Sequence, residues 1–168
     1  PPMTGDKRTL DYTKAQLKLK PVDNLHDEYG TDTSEEAMRK AIEDHNEISR
    51  IITEIGNFRK AENPNITGYE FHVIELVSQV CPHYLIKPYL EETLEELKTR
   101  EPEEKFPFRA KVVLVGSEID DPDFTKLVES CGAMVVADRY CFGSFPGREQ
   151  IEIRDGESAY DAICRHYL

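Results

Sequence analysis

The chain has 168 residues, of which 39% are hydrophobic, 21 are basic and 33 are acidic, and its formal net charge is −12. This composition is typical of a globular domain, and so acidic a surface argues against nucleic acid as a partner. No run of about 18 apolar residues predicts a membrane span, and no basic stretch followed by an apolar one indicates a signal peptide.

The first part of the chain carries apolar side chains at helical spacing. The pattern predicts a helix over residues 7–26 that is kinked or split at Pro21, with a helix C-cap at Gly30. A second helix begins at a capping box over residues 33–36 and extends to about residue 60.

Two more helices complete this helical region. The third opens with a second capping box at residues 67–70, and the fourth covers about residues 88–100. The predicted buried face of the third helix consists of Val73, Leu76, Val77, Val80 and Cys81. The fourth helix is expected to turn Leu90, Leu94 and Leu97 inward.

A charged linker bracketed by prolines, residues 99–107, separates these helices from a different pattern. Residues 111–117 are a β-branched run that predicts a strand buried on both faces, and residues 133–138 predict a second such strand. The predicted apolar face of the helix between them consists of Phe124, Leu127, Val128 and Cys131. This order predicts a parallel βαβ unit, followed by a loop over residues 139–156 and a last helix over residues 155–168.

The predicted fold class is therefore α/β. A helical region over residues 1–105 is followed by the start of a Rossmann-like parallel α/β domain over residues 106–168. Stable parallel sheets usually have more than two strands and are covered on both faces. We therefore expect an α/β domain whose remaining strands lie outside this chain.

The loop after the second strand is the main candidate for a ligand site, because open parallel sheets bind ligands beyond the carboxyl ends of their strands. Its candidate substrate-binding residues are Arg139, Cys141, Gly143, Ser144 and Arg148. The guanidinium groups suit a phosphate or carboxylate, and the glycines let the backbone approach a ligand closely. The alternative is an ordinary ordered loop whose arginines pair with nearby acids.

The loop after the first strand is less informative. It contains Asp120 and Asp121 but neither a GxGxxG pattern nor a P-loop lysine, which argues against a nucleotide site. Helix capping is the favoured interpretation of these acids. A divalent cation site, as in a receiver-like domain, is the alternative.

The thiols and imidazoles form no recognisable metal or catalytic motif. The cysteines contain no CxxC pair, which favours reduced thiols in a cytoplasmic protein. We expect Cys81, Cys131 and Cys164 to be small core residues, and His45, within an apolar stripe, to be a hydrogen-bonded core histidine. No metal ligands or catalytic residues are assigned within this chain.

An ordered series of segments makes the chain similar to a known family. The series consists of residues 33–36, 41–42, 46, 59, 63–64, 66–70, 113–117, 131–133, 135–144 and 162–168. It resembles the 2-hydroxyacyl-CoA dehydratase family, which includes the subunits of ATP-dependent benzoyl-CoA reductases. The sequence Arg139-Tyr140-Cys141-Phe142-Gly143-Ser144, with Pro146-Gly147-Arg148 after it, looks closest to the benzoyl-CoA reductase branch.

The resemblance implies a subunit of two Rossmann-like domains joined by helices, of which this chain looks like the central piece. It also implies a [4Fe–4S] cluster in the parent subunit whose cysteine ligands lie outside this chain, so no cofactor is expected in this piece alone. The implied chemistry is single-electron reduction of an acyl-CoA, with a second homologous subunit and an ATP-dependent electron-donating activator as partners.

By the same resemblance, residues 139–148 could line the cleft between the two domains, and Gly68 and Glu70 could lie near the acyl group. Capping of the third helix already accounts for Glu70. The alternative function is a non-enzymatic interaction or regulatory module, whose α/β half-domain is completed by a partner.

Overall fold

The computed structural model describes residues 6–102, 107–141, 143 and 148–167. The chain forms two compact units, one from Pro1–Asn46 and Gln150–Leu168 and the other from Glu47–Glu149. Before residue 105 the described elements are all helices, and both strands come after residue 106. A domain boundary between residues 105 and 106 stays a prediction. No helix of the described residues is both long enough and apolar enough to cross a bilayer.

The regular secondary structure described in the first unit is helical. Its helices are α1 (Lys7–Leu17), α2 (Asp23–Tyr29), the first half of α3 (Glu35–Asn57) and α7 (Ala159–His166). Pro21 lies in a π-helical turn, Lys18–Val22, that separates α1 from α2, as a proline in a helix interior predicts. Gly30 ends α2 with a left-handed φ of 65°, which confirms the predicted C-cap.

This unit contains a small apolar core, and polar side chains fix the segments beside it. The core consists of Ile42, Ile151, Ala159 and Ala162, with Met38, Ile153 and Ile163 packed against it. The amide of Asn46 holds the segment beside it, because its Oδ1 accepts from the N–H of Ile151 at 2.8 Å and its Nδ2 donates to the same residue's carbonyl at 3.0 Å. The cap of α3 is Ser34, whose Oγ accepts from the N–H of Ala37 at 3.2 Å, one residue later than the predicted box.

The second unit contains the rest of α3, a 3-10 turn (Phe58–Lys60), α4 (Gly68–Val80), α5 (His83–Leu97), β1 (Ala110–Val115), α6 (Pro122–Ser130) and β2 (Ala133–Arg139). The capping box of α4 is confirmed, since Thr67 Oγ1 accepts from the N–H of Glu70 at 3.0 Å and the Glu70 carboxylate accepts from the N–H of Thr67 at 2.7 Å. Helix α5 begins five residues before the predicted start and contains Pro88 in its interior.

Helices α3 and α5 enclose the main apolar core of this unit. Its buried residues are Ile48, Ile51, Ile52, Ile55, Ile66, Phe71, Ile86, Leu90, Leu94 and Leu97. The leucines of α5 recur at helical spacing, and the predicted inward face of Leu90, Leu94 and Leu97 is confirmed.

Helix α4 buries a different face from the predicted one. Its buried residues are Gly68, Phe71, His72 and Glu75, whereas Val73, Val77 and Val80 are exposed. The prediction was wrong because the neighbouring elements offer polar partners to both buried groups, Thr125 to His72 and Arg148 to Glu75.

Strands β1 and β2 form the predicted parallel pair, with Ala110 opposite Ala133 and a register shift between Val112 and Val113. The prediction that β1 is buried on both faces was wrong, because Val113 is 59% exposed and Val115 is 76% exposed. Helix α6 also differs from its prediction: it buries Thr125 and Glu129 and leaves Phe124, Leu127 and Cys131 exposed. Asp121 caps α6 through a 3.0 Å hydrogen bond from the N–H of Asp123, as the capping interpretation expected.

Candidate functional site

The candidate site lies at the carboxyl end of β2, within the second unit. The loops after both strands meet there, because the N–H of Cys141 donates to the Ser117 carbonyl at 3.2 Å and the N–H of Gly116 to the Arg139 carbonyl at 3.3 Å. The chain then turns back on itself through a 3.0 Å hydrogen bond from Gly143 N–H to the Tyr140 carbonyl. This edge of a parallel sheet is where ligand sites are usually built.

A buried ion pair fixes the last turn of β2. The carboxylate of Asp138 accepts from Nη1 of Arg59 at 2.9 Å, and the two side chains are 2% and 5% exposed. Arg59 follows α3 in the 3-10 turn, and its guanidinium lies 3.7 Å from the ring centroid of Phe71. Burial lowers the pKa of Arg59, and Asp138 acts against that shift by stabilising the charged form.

A chain of three neutral side chains lies beside this pair. Nδ1 of His72 is 3.0 Å from Oγ1 of Thr125, which is 3.3 Å from Oη of Tyr140. Burial lowers the pKa of His72 and raises the pKa of Tyr140 to about 12, so both are uncharged at neutral pH. No hydrogen bond of normal geometry reaches Nε2 of His72 among the described residues.

A second buried ion pair joins Arg148 to Glu75. The Glu75 side chain is fully buried and that of Arg148 is 16% exposed. Burial, and the positive charge of Arg59 nearby, lower the pKa of Arg148 to about 10. Nη1 of Arg148 is buried and has no hydrogen-bond partner among the described residues.

Gly143 lies against this polar cluster in a place that no larger residue can occupy. A Cβ atom at this position would lie 2.3 Å from Oδ1 of Asp138 and 2.5 Å from Cε2 of Tyr140. Both neighbours are fixed by buried partners and cannot move away easily. The backbone at Gly143 therefore lies directly against the ion pair and the tyrosine.

Glu129 ties α6 to two other elements behind the cluster. Its Oε1 accepts from the N–H of Gly68 at 2.8 Å and from that of Val135 at 3.1 Å, and its Oε2 accepts from Tyr69 at 3.1 Å. A carboxylate at a helix N-terminus is favoured by the unpaired amides and the helix dipole. Glu129 thus positions α4, and with it His72 and Glu75, against β2.

A larger groove of about 1160 Å³ lies toward the amino ends of the strands, lined by Thr67, Glu70, Arg100, Phe108 and Met134 among others. The Glu70 carboxylate there is already bound by its own cap and by Nη1 of Arg100 at 3.1 Å. The capping interpretation of Glu70 is confirmed, and its proximity to an acyl group stays a prediction.

The structure brings only some of the predicted site residues together. Gly143 and Arg148 belong to the buried polar cluster, and Cys141 is half-buried in the turn beside it. Arg139, the last residue of β2, is exposed, and Ser144 lies outside the described residues. Substrate binding by these five residues stays a prediction.

Several residues of the cluster were not identified from the sequence. They are Arg59, His72, Glu75, Thr125, Asp138 and Tyr140. One feature of the sequence could have indicated that His72 and Glu75 are buried together. They are three residues apart and share a helix face with Phe71 and Gly68. Arg59 likewise follows the buried Ile55 by four residues at the end of α3.

The described thiols do not fit an iron–sulfur cluster. Among residues 6–102, 107–141, 143 and 148–167, no group of three or more His, Cys, Asp and Glu side chains could hold a metal ion. Cys164 is buried in α7, as expected of a core residue, whereas Cys131 is exposed and the prediction that it is buried was wrong. A cluster needs several thiolates at one place.

The sequence was compared with family models and with curated proteins. A family model described as 2-hydroxyglutaryl-CoA dehydratase, D-component, matches residues 1–168, which is the whole chain. No protein among the curated sequences matches the chain.

Proposed function

The chain belongs to the 2-hydroxyglutaryl-CoA dehydratase D-component family and is a component of a 2-hydroxyacyl-CoA dehydratase-type enzyme; we propose that it forms one wall of that enzyme's substrate site. The resemblance seen in the sequence is thereby confirmed at the level of the family. The observation that supports the further proposal is the buried polar cluster at the carboxyl end of β2, against which Gly143 of the following loop is packed.

In this proposal the polar cluster supports the start of the loop so that it can bind a ligand, and the cluster does not transfer protons. Asp138 and Tyr140 have buried partners, and Gly143 rests on both of them. Rigid support of this kind reduces the entropy lost when a ligand binds. In this proposal Arg139, Cys141, Gly143, Ser144 and Arg148 bind the acyl-CoA and position its thioester.

We propose that the enzyme contains a [4Fe–4S] cluster whose ligands are not the described thiols of this chain. Such a group supplies single-electron reduction of the bound acyl-CoA, as the family resemblance implies. A second homologous subunit and an ATP-dependent electron-donating activator complete the proposed assembly, and the D-component family implies a partner subunit. The described residues of this chain bind and position the substrate.

The family description favours one reaction over the other that the sequence left open. A dehydratase removes water from a 2-hydroxyacyl thioester, whereas a benzoyl-CoA reductase adds electrons to an aromatic ring. We therefore propose dehydration as the reaction. The similarity of the loop at residues 139–148 to the benzoyl-CoA reductase branch makes benzoyl-CoA the competing substrate to test.

The test compares two glycines at the two loops. The purified enzyme is assayed without oxygen, with activator, ATP and either 2-hydroxyglutaryl-CoA or benzoyl-CoA. Gly143→Ala is expected to lower kcat/KM for dehydration at least about tenfold, because the added methyl displaces the loop from Asp138 and Tyr140. Gly116→Ala is the matched control, since its Cβ would meet only Ile119 at an ordinary 3.7 Å.

Each result has a definite meaning. Equal loss in the two variants, with both still folded by circular dichroism, would contradict the substrate-site proposal. Turnover of benzoyl-CoA alone would replace dehydration by ring reduction. Loss of iron from Cys141→Ala would show that this thiol is a ligand and would overturn the cofactor assignment.

A further inference from the structure

A small pocket beside β2 has a charge opposite to that of the protein. It has a volume of about 230 Å³, and Asn57, Arg59, Lys60, Phe71, Asp138 and Arg148 are among its lining residues. We propose that this pocket binds a compact oxyanion, a carboxylate or phosphate group, between Arg59, Lys60 and Arg148. The proposal rests on the residues of the pocket. It shares Arg148 with the acyl-CoA proposal, but its test uses free anions without acyl-CoA, so the two proposals can fail separately.

The charge balance of the pocket supports an anionic ligand. Three cations line it, and only Asp138 among the lining residues is an acid. Even when Glu75, the buried partner of Arg148, is counted, one positive charge remains in excess. In a chain with a net charge of −12, a surplus of positive charge in a concave site is the opposite of the average surface.

Arg148 and Lys60 have hydrogen-bonding capacity that the described residues do not use. Nη1 of Arg148 is buried without a hydrogen-bond partner among the described residues, although a buried donor of this kind normally has one. Lys60 is held at the rim, where its Nζ donates to Oδ1 of Asn57 at 2.7 Å and keeps further donors for a ligand.

The ring of Phe71 contacts both guanidinium groups. The Cζ of Arg59 lies 3.7 Å from its ring centroid, and that of Arg148 lies 5.9 Å from it. These cation–π contacts with one ring keep both guanidinium groups in the pocket although the two groups repel each other. An anion placed between them would relieve that repulsion, and planar guanidinium groups suit the two oxygens of a carboxylate or phosphate.

The size of the pocket limits what it can hold. Its volume is below the range of about 300–1,000 Å³ that is usual for pockets enclosing a drug-sized ligand. It therefore suits one charged group and not a whole coenzyme. A phosphate of a nucleotide-containing ligand and a free carboxylate of an organic acid share this chemistry, and separate probes distinguish them.

The experiment is calorimetric titration of the intact protein with inorganic phosphate and, separately, with acetate, at low ionic strength. Arg148→Met is expected to weaken binding about tenfold or more, because it removes a charged donor. Arg50→Met is the matched control: it removes the same charge from an exposed residue paired with Glu54 and should leave the affinity unchanged. Lys60→Met, at an exposed position, should weaken binding about two- to fivefold without disturbing a buried pair.

Saturable binding of either anion that depends on Arg148 and Lys60 but not on Arg50 supports the proposal. Phosphate alone would identify a phosphate group as the natural ligand, and acetate alone a carboxylate. No saturable binding, or equal weakening by Arg50→Met, would overturn it. Should Arg148→Met fail to fold, an unchanged affinity in Lys60→Met would overturn it as well.

Discussion

Helices α4 and α5 lie in the same unit and bury opposite kinds of side chain. Helix α5 buries Ile86, Leu90, Leu94 and Leu97, all apolar. Helix α4 buries His72 and Glu75 and turns Val73, Val77 and Val80 outward. The difference shows that a helix buries the face for which its neighbours offer partners. Those neighbours are the isoleucines of α3 for α5, and Thr125, Tyr140 and Arg148 for α4.

The two faces should also respond differently to substitution. Truncation on the apolar side removes contacts and leaves a cavity, and the surroundings relax only partly. Removal of one partner on the polar side leaves a charge or donor buried and unpaired, which costs its full desolvation. Three substitutions test this difference, from the largest expected effect to the smallest.

The largest effect is expected from Asp138→Asn, which leaves the buried guanidinium of Arg59 without its counter-charge. We expect the free energy of unfolding to fall by about 3–5 kcal/mol in urea titrations. Glu54→Gln, the same change in an exposed pair with Arg50, should alter it by less than about 0.5 kcal/mol.

A double substitution sharpens this first prediction. Arg59→Met together with Asp138→Leu removes both charges at once and should recover most of the loss, because two apolar groups leave nothing unpaired. A double variant as unstable as Asp138→Asn would show that packing, and not charge, stabilises the pair.

On the apolar side, Leu97→Ala is expected to lower the free energy of unfolding by about 2–5 kcal/mol, since the residue is 1% exposed within the main core. Val80→Ala, on the face of α4 that the sequence pattern predicted to be buried, should change it by less than about 0.5 kcal/mol, because Val80 is 68% exposed. Similar costs in urea unfolding would mean that Val80 is covered in solution.

The smallest effect concerns His72 and pH. Burial is the main cause that lowers the pKa of His72 below its ordinary 6.5 in the folded protein, so the unfolded chain takes up a proton at a higher pH than the folded one. The stabilising effect of a neutral His72 is complete above pH 6.5 and is lost as the pH falls from there through the folded pKa.

The measurement is urea unfolding between pH 7.5 and 5.0 for the protein and for His72→Gln. The protein should lose at most about 1.4 kcal/mol per pH unit more than the variant does below pH 6.5. Parallel pH profiles would show that His72 is protonated in the folded state as readily as in the unfolded one.

Local signals predicted much of the fold. The capping box at Thr67 and Glu70, the interruption at Pro21 and the left-handed Gly30 each depend on residues a few positions apart, and all three are confirmed. The parallel βαβ unit followed from two β-branched runs around one helix. The exposure of β1 could not be predicted, because burial of a strand depends on what covers the sheet.

The sequence predicted where the candidate site lies but not which side chains contact one another there. Its edge of the sheet followed from the order of strands, and Gly143 and Arg148 were identified with it. Its central contacts join residues far apart in the chain, 79 positions for Arg59 and Asp138 and 53 for His72 and Thr125. No periodicity reports such pairs, because each partner alone looks like an ordinary polar residue.

The bonds that Glu129 makes to the start of α4 also set an order of events during synthesis. Gly68 leaves the ribosome 61 residues ahead of Glu129, which at about 5–20 residues per second is a delay of roughly 3–12 s. During that time the amides of Gly68 and Tyr69 lack the carboxylate that binds them in the folded protein. The nascent helix is then stabilised at its start by its own capping box alone, and its docking onto the sheet waits for the chain that follows.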